Sequence, residues 1–251
     1  MKRITILLFT ALVLFSVVLA ACQPAPKTAE KYTVVTDATW PPFETVNEST
    51  KEVEGLDVDL MKAIAEKGGF QVEFTNIPFD SLLAGLSQCQ YDLAISAITI
   101  TDERKKTMAF SDPYFAAGQI VVVAKDNADI HSKDDLKGKK VGAQLGTTGE
   151  IEAKAMEGVK YAAYDTIDLA FLDVISGQLD AVISDNPLAL GFVGQYPDKL
   201  KSVGEVFTDE NYGIAVCNKK SDLLKMVNTG LAAAKSDGTL DKLTDKWLLG
   251  K

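Results

Sequence analysis

Strand-like and helix-like stretches alternate along this chain, and that alternation restricts the fold more than any other property of the sequence. The apolar stretch "YTVVTD" is followed by "GLDVDLMKAIAEKGG", in which Leu56, Leu60, Ile64 and Ala65 recur at helical spacing before two glycines. The segments "QVEFTNI", "DSLLAGLSQ" and "YDLAISAI" then read as strand, helix and strand. This order predicts an α/β fold with largely parallel sheets and helices on both faces.

The same order resumes after the strand-like "GQIVVVAKD". The strand "KKVGAQ" precedes two helices, "TTGEIEAKAME" and "TIDLAFLDVISG", and the strand "DAVISD" precedes the helix "NPLALGFVGQY". A further strand, "YGIAVCN", and two helices between Ser221 and Leu249 complete the predicted elements.

Two segments of the chain resemble each other. "CQYDLAIS" (89–96) and "GQLDAVIS" (177–184) share glutamine, aspartate, isoleucine and serine at equivalent positions, and each follows an apolar helix. The match is either chance similarity between two ordinary helix–strand units or the sign of two lobes of similar design. In the second case the strand ends at Ser96–Ala97 and Ser184–Asp185 line one cleft, because ligands bind at the carboxyl ends of strands in open α/β sheets.

The first 21 residues predict a secretory signal, since Lys2 and Arg3 precede an apolar run that ends in small residues. "LAAC" looks like a bacterial lipobox, which makes Cys22 the expected lipid-anchored residue; plain secretion and a retained transmembrane anchor are the alternatives. Residues 22–31 then form a tether. Removing Lys2 and Arg3 takes the formal charge from −9 to −11. Such an acidic chain predicts no nucleic-acid partner.

Cysteine and histidine are scarce in the predicted mature chain. Cys89 and Cys217 have no metal-ligand spacing, and His131 is the only histidine. A disulfide between the two cysteines is possible outside the cell, but the distant pair gives no specific signal, and we expect free, structural thiols. No metal site and no cofactor are predicted.

Two charged residues lie at positions suited to a small zwitterion. Arg104 follows the extended "TIT" segment, where Thr99 and backbone N–H groups would help it to bind a carboxylate; the alternative is a solvated surface charge. Asp185 ends an apolar strand, so it binds a cation such as a ligand ammonium or caps the helix that follows.

Two aromatic residues and one loop complete the candidate site. Trp40 precedes Pro41–Pro42 and Phe79 lies at a predicted strand-to-helix junction, so these rings either close the edge of the core or enclose a ligand side chain. The loop "QLGTTGE" (144–150) lacks the lysine and spacing of a nucleotide-binding P-loop, and suits a small anion better. No nucleophile elbow, cysteine–histidine pair or metal cluster is evident, so no catalytic residue is assigned.

These motifs together resemble one family. "TDATWPPFE", "QYDLAISAITITDERKKTMAFSDPYF", "DDLKGKKVGAQLGTTGE", "DAVISDNP" and "YGIAV" are similar to segments of the bacterial extracellular solute-binding proteins, family 3, of polar amino-acid ABC transporters. The resemblance implies the two-lobed type II periplasmic-binding-protein fold, with lobe 1 at 32–118 and 215–251, lobe 2 at 119–214, and two hinge strands near "GQIVVVA" and "NYGIAV". It also implies a monomer outside the cytoplasmic membrane that delivers a free amino acid to permease subunits.

The resemblance also assigns roles to individual residues. The ligand carboxylate would bind Arg104 with Thr99, Thr147 and Thr148, and the ammonium would bind Asp185 with the carbonyl of Ala97, where relatives often have glycine. Trp40 and Phe79 would enclose the ligand side chain, and Asp37 and Gln144 would contact its far end.

Departures from the family pattern bear on the ligand. Glutamine-specific relatives tend to carry lysine where Gln144 stands and histidine where Ser184 stands. Their absence leaves Asp37 as an anion without a competing lysine, which favours arginine or lysine; glutamine or another polar amino acid is the alternative. A dehydratase-type enzyme on the same scaffold is less favoured because Arg104 and Asp185 are both present. A receptor's sensory module is less favoured because the sequence shows no further membrane span before Lys251.

Overall fold

The computed structural model of the protein describes residues 29–250, so the predicted signal segment, Cys22 and most of the predicted tether lie outside the described residues. The strands are β1 (Lys31–Thr36), β2 (Thr39–Trp40), β3 (Glu44–Val46), β4 (Val53–Glu54), β5 (Gln71–Asn76), β6 (Leu93–Ala94), β7 (Met108–Phe110), β8 (Phe115–Ala117), β9 (Gln119–Ala124), β10 (Lys140–Gln144), β11 (Lys160–Tyr164), β12 (Ala181–Asp185), β13 (Leu200–Val203), β14 (Glu210–Tyr212) and β15 (Ala215–Cys217).

The α-helices in this part of the chain lie mostly where apolar spacing predicts them. They are α1 (Leu56–Gly68), α2 (Phe79–Ser87), α3 (Asp102–Lys105), α4 (Thr148–Ala155), α5 (Ile167–Ser176), α6 (Asn186–Gln195), α7 (Ser221–Ser236) and α8 (Thr239–Leu248). Gly69 ends α1 in the left-handed conformation, with φ 77°, and its N–H donates to the carbonyls of Ala65 and Glu66. None of the helices between residues 29 and 250 is long and apolar enough to cross a membrane.

Two five-stranded sheets form the centres of two lobes. The first sheet has the order β5-β1-β6-β15-β7, and the second has the order β11-β10-β12-β9-β13. In each sheet the first three strands run parallel and the last two are antiparallel to their neighbours. The predicted α/β class and two-lobed fold are confirmed. The sheets are largely parallel, as predicted, since four of the five strands in each run in one direction and only β15 or β9 runs the opposite way.

Each sheet is covered on both faces because its strands alternate their buried side chains. In β1, Val34 packs into the cluster that holds Leu60 and Ile64 of α1, whereas Val35 packs into the cluster that holds Leu82 of α2. The second sheet repeats this division through β9, whose valines contact α5 and α6 on one face and α4 on the other. This two-sided burial fixes the strand ends that carry the candidate site.

The two similar sequence segments occupy equivalent places in the two sheets. β6 and β12 are both central strands. Asp92 accepts a hydrogen bond from the backbone N–H of Thr33 at 2.7 Å, and Asp180 accepts one from the N–H of Lys140 at 2.7 Å. The similarity is therefore structural, and it supports two lobes of like design.

The chain crosses between the lobes twice. β8 leads from the first sheet into β9, β14 leads back towards β15, and β8 and β14 pair as a two-stranded antiparallel sheet. The two predicted hinge strands are thus present, the first of them at 115–117, just before the segment named from the sequence. The lobe boundaries at residues 118 and 214 stay predictions.

Three strands of the two five-stranded sheets were not predicted, and all three, β7, β11 and β13, lie at sheet edges. β11 and β13 each end the order of the second sheet. Their sequences, "KYAAY" and "LKSV", bury few side chains fully and show no clear apolar alternation. The predicted strand "YDLAISAI" is also shorter than expected, since Leu93–Ala94 alone is assigned to β6.

Cys89 and Cys217 form a disulfide, so the expectation of two free thiols is wrong. Cys89 follows α2 and Cys217 ends β15, which places the two Cα atoms 5.0 Å apart although 128 residues separate them in sequence. This proximity could not be predicted from the spacing of the cysteines, because it depends on the return of β15 to the first sheet.

We expect reduction of this disulfide to lower the free energy of unfolding by about 2–5 kcal/mol, because the bond closes a long loop in the unfolded chain. Equilibrium urea unfolding with and without dithiothreitol measures the effect. The double variant Cys89→Ala/Cys217→Ala is the control, since reductant should not shift its midpoint. An unchanged midpoint for wild-type protein whose thiols titrate as free would contradict the expectation.

Candidate functional site

The cleft between the lobes brings together predicted site residues that lie far apart in sequence. Hydrogen bonds connect Asp37 and Trp40 of the first lobe with Gln144 of the second, and Arg104 with Gly146. Thr99 and Thr148 donate to one acceptor, Glu210, and Arg104 and Asp185 interact through their charges. The other three predicted residues, Phe79, Ala97 and Thr147, contact residues of their own lobe. Cys22, the predicted lipid anchor, lies outside the described residues.

Arg104 is held inside the cleft and does not act as a free surface charge. Its Nη1 donates to the carbonyl of Thr99 at 2.7 Å, and its Nη2 donates across the cleft to the carbonyl of Gly146 at 2.8 Å. The guanidinium lies 5.5 Å from the centre of the Phe79 ring. Burial lowers the pKa of Arg104 to about 10, and the negative charges of Asp185 and Glu210 oppose that shift. The group remains charged at neutral pH.

The rings of Trp40 and Phe79 face each other. They are nearly parallel, with an interplanar angle of 20° and centroids 6.3 Å apart, and both side chains are buried. A flat group between two rings needs about 7 Å, twice the contact distance of about 3.5 Å between carbon atoms. A small outward movement would therefore admit a planar group such as a guanidinium or an amide.

Asp37 and Gln144 meet beside these rings. Gln144 Nε2 donates to Asp37 Oδ2 at 2.6 Å and to the carbonyl of Asp165 at 3.0 Å, while its Oε1 accepts from Trp40 Nε1. Burial raises the pKa of Asp37, and hydrogen bonds from Thr39 and Gln144 limit the rise. The amide of Gln144 thus connects the two lobes. Because it is neutral, it compensates the buried carboxylate of Asp37 only in part.

Asp185 is the last residue of β12 and is buried. It accepts hydrogen bonds from Gln119 Nε2 and the hydroxyl of Tyr212, both at 2.7 Å. Burial, followed by the nearby charge of Glu210, raises the pKa of Asp185 to about 7. Its side chain makes no capping hydrogen bond to α6, so the helix-cap alternative is not realised.

Glu210 is a central residue of the cleft that the sequence did not reveal. Its Oε2 accepts from the hydroxyls of Thr99 at 2.7 Å and Thr148 at 2.8 Å, and its Oε1 accepts from Thr208 at 2.8 Å. In β14, Glu210 and Tyr212 are buried whereas Asn211 is exposed. That alternation was the available signal, but "TDENYG" also reads as a polar loop.

The hydrogen bonds to Glu210 restrict what the predicted hydroxyls can do. A hydroxyl has one proton, and those of Thr99 and Thr148 are donated to Glu210, while Thr147 donates to the carbonyl of Gln144 at 2.7 Å. To donate to a ligand carboxylate, these hydroxyls must turn away from their present acceptors. The remaining N–H groups of Arg104 need no such change.

Ala97 adopts a backbone conformation that favours glycine. Its φ is 45°, and its N–H donates to Asp57 Oδ2 at 2.8 Å, as does the hydroxyl of Tyr114 at 2.7 Å. Burial raises the pKa of Asp57 to about 6 and raises the pKa of Glu44 well above its usual value. This buried acidic pair, also missed from the sequence, supports the turn from which the Ala97 carbonyl projects.

We expect Ala97→Gly to stabilise the protein by about 1 kcal/mol, because glycine adopts positive φ without the steric penalty of a Cβ. Urea unfolding measures the change. Ala232→Gly, at an exposed position within α7, is the matched control and should destabilise by about 1 kcal/mol. Equal destabilisation by both changes would show that the conformation at Ala97 stores no strain.

The chain is similar to known proteins over the whole described part. The family described as bacterial extracellular solute-binding proteins, family 3, matches residues 32–250. A probable histidine-binding protein of Neisseria gonorrhoeae is 38% identical over 90% of this chain and 86% of its own length. ABC transporter arginine-binding protein 1 of Escherichia coli is 37% identical over 87% and 91%. The structure of an ancestral arginine-binding protein bound to arginine has a TM-score of 0.82 and 47% identity, covering 86% of this chain and 97% of that one.

Proposed function

We propose that this chain, which belongs to the bacterial extracellular solute-binding proteins, family 3, binds one amino acid with a cationic side chain and delivers it to an ABC transporter. Arginine or lysine is the favoured ligand. The observation that carries the proposal is the buried carboxylate of Asp37 beside the paired rings of Trp40 and Phe79. Membership of this family places the protein outside the cytoplasmic membrane.

The main-chain groups of the ligand suit the charges within the cleft. Arg104 would bind the carboxylate, since its guanidinium is charged and lies next to Gly146 on the opposite lobe. Asp185 would bind the ammonium, which would compensate a buried carboxylate that has only neutral hydrogen-bond donors. A ligand that contacts both lobes favours closure of the lobes around it.

The side chain of the ligand would lie between Trp40 and Phe79, with its tip at Asp37. A cation gains from the faces of both rings and from the charge of Asp37, whereas the amide of glutamine gains less from that carboxylate. The arginine-binding and histidine-binding relatives support a cationic ligand. Glutamine or another polar amino acid remains the alternative, because Gln144 shows that an amide forms a good hydrogen bond with Asp37.

Attachment and partners complete the proposal. Cys22 would carry the lipid that holds the protein at the outer face of the cytoplasmic membrane or at the cell surface, and the protein would act as a monomer with permease subunits. The relatives named above are binding proteins, which supports binding over catalysis as the activity of this scaffold.

We expect arginine and lysine to bind more tightly than glutamine, and Asp37→Asn to narrow or reverse that order. Loss of a charge-assisted hydrogen bond, worth about 1.5–3 kcal/mol, should weaken the cationic ligands about tenfold to 100-fold. Isothermal titration calorimetry with the three ligands at one salt concentration measures the change. Asp102→Asn, at a fully exposed carboxylate, is the control. If the wild type prefers glutamine, the cationic assignment falls.

The raised pKa of Asp185 makes binding depend on pH. An ammonium favours the ionised carboxylate, so below pH 7 binding must release the proton that Asp185 holds in the free protein. We expect affinity to be about tenfold lower at pH 6 than at pH 8, with nearly one proton released at pH 6 and almost none at pH 8. Without ligand, Asp185 makes stability fall as pH rises from about 4 to about 7, because the folded state binds its proton more strongly.

Calorimetry in buffers of different ionisation enthalpy counts the released protons. Asp185→Asn should abolish the release at pH 6, although its affinity will be lower. Asp57→Asn is the matched control, because the pKa of Asp57 is also raised, to about 6, but its carboxylate accepts hydrogen bonds from the Ala97 N–H and the Tyr114 hydroxyl. This variant should keep the release. Release that persists in Asp185→Asn would assign the proton to another group.

A further inference from the structure

A cavity of about 330 Å³ lies beside Asp37, between the two lobes. The first lobe contributes Ala38 and Thr39, which directly follow Asp37, and the second contributes Asp168 and Phe171 of α5. This space adjoins the place where the tip of the ligand side chain would lie. Asp168 was not singled out in the sequence, where it reads as an ordinary acidic residue in the first turn of a helix.

Asp168 has an unusual environment for such a residue. Its Oδ1 is buried and has no hydrogen-bond partner in the described part of the protein. The N-terminus of α5 favours a negative charge at this position, but it does not explain a buried oxygen without a donor. The negative charge of Asp168 also contributes to the raised pKa of Asp37, which means that the two carboxylates are close enough to interact.

The amide of Gln144 links the surroundings of the two acids. Its Nε2 donates to Asp37 and to the carbonyl of Asp165, three residues before Asp168. A neutral amide thus supplies the N–H donors in a region that contains two negatively charged carboxylates. A group that carries a positive charge and several N–H donors would compensate both.

We propose that Asp168 is a second specificity-determining residue, which acts with Asp37 to select arginine over lysine. The inference rests on the proposed function, since it assumes that a cationic side chain reaches Asp37. A guanidinium is planar and has five N–H donors in a fixed fork, so it can point donors at two separate carboxylates. An ammonium is compact and stays close to one of them.

The test is calorimetric titration of arginine and lysine into wild type, Asp168→Asn and Glu48→Gln. We expect the wild type to prefer arginine. Asp168→Asn should lower arginine affinity about tenfold and change lysine affinity less than about threefold, because one charge-assisted hydrogen bond is lost. Glu48 lines the same cavity but is exposed, so Glu48→Gln removes an equal charge and should leave both affinities unchanged.

The ratio of the two affinities separates recognition from a structural role. Destabilisation of α5 would weaken both ligands together and leave the ratio unchanged, which would overturn the inference, as would an unaltered arginine affinity. If Asp168→Asn does not fold, Asp168→Ser is measured in the same way. A wild type that binds lysine more tightly than arginine refutes the role of Asp168 but not the proposed function, whereas binding of neither ligand refutes the proposed function itself.

Discussion

One carboxylate, that of Glu210, accepts hydrogen bonds from both halves of the cleft. Glu210 lies on a crossing strand and accepts hydroxyl protons from Thr99 in the first lobe and Thr148 in the second. It also places a negative charge near Arg104 and Asp185, and so affects the pKa of both groups. The positions of the Thr99 and Thr148 hydroxyls and the pKa values of Arg104 and Asp185 therefore depend on a residue of the hinge. Movement of the hinge would change these positions and these pKa values.

The fold was predictable where local and tertiary requirements agree. The apolar spacing in α1 and the glycines that end it specify a helix, and packing against the first sheet uses the same face. Prediction failed where the structure depends on distant pairing. The edge strands β11 and β13 lack a strong apolar pattern, and the Cys89–Cys217 bond depends on the return of β15 to the first sheet.

The residues of the candidate site also fall into two groups, those that the sequence indicated and those that only the structure shows. Arg104, Asp185, Trp40 and Phe79 could be selected because a charge or a large ring at a strand end or loop needs a partner. Glu210, Asp57 and Asp168 could not, since acids are frequent in this chain and only tertiary contacts show which of them are buried. The two similar segments illustrate this. Asp92 and Asp180 make equivalent hydrogen bonds to the backbone of a neighbouring strand, whereas the residues at the two strand ends, Ala97 and Asp185, are not alike.

The disulfide has a topological consequence. Its two cysteines belong to the first lobe, yet the chain between them includes every strand of the second sheet. The second lobe is thus an insertion within a covalent ring. A protease that cuts one peptide bond anywhere between residues 89 and 217 leaves a single covalent molecule, in which both fragments stay tethered next to the first sheet. For a protein that meets proteases outside the cytoplasmic membrane, one break in the second lobe therefore does not release a piece of the chain.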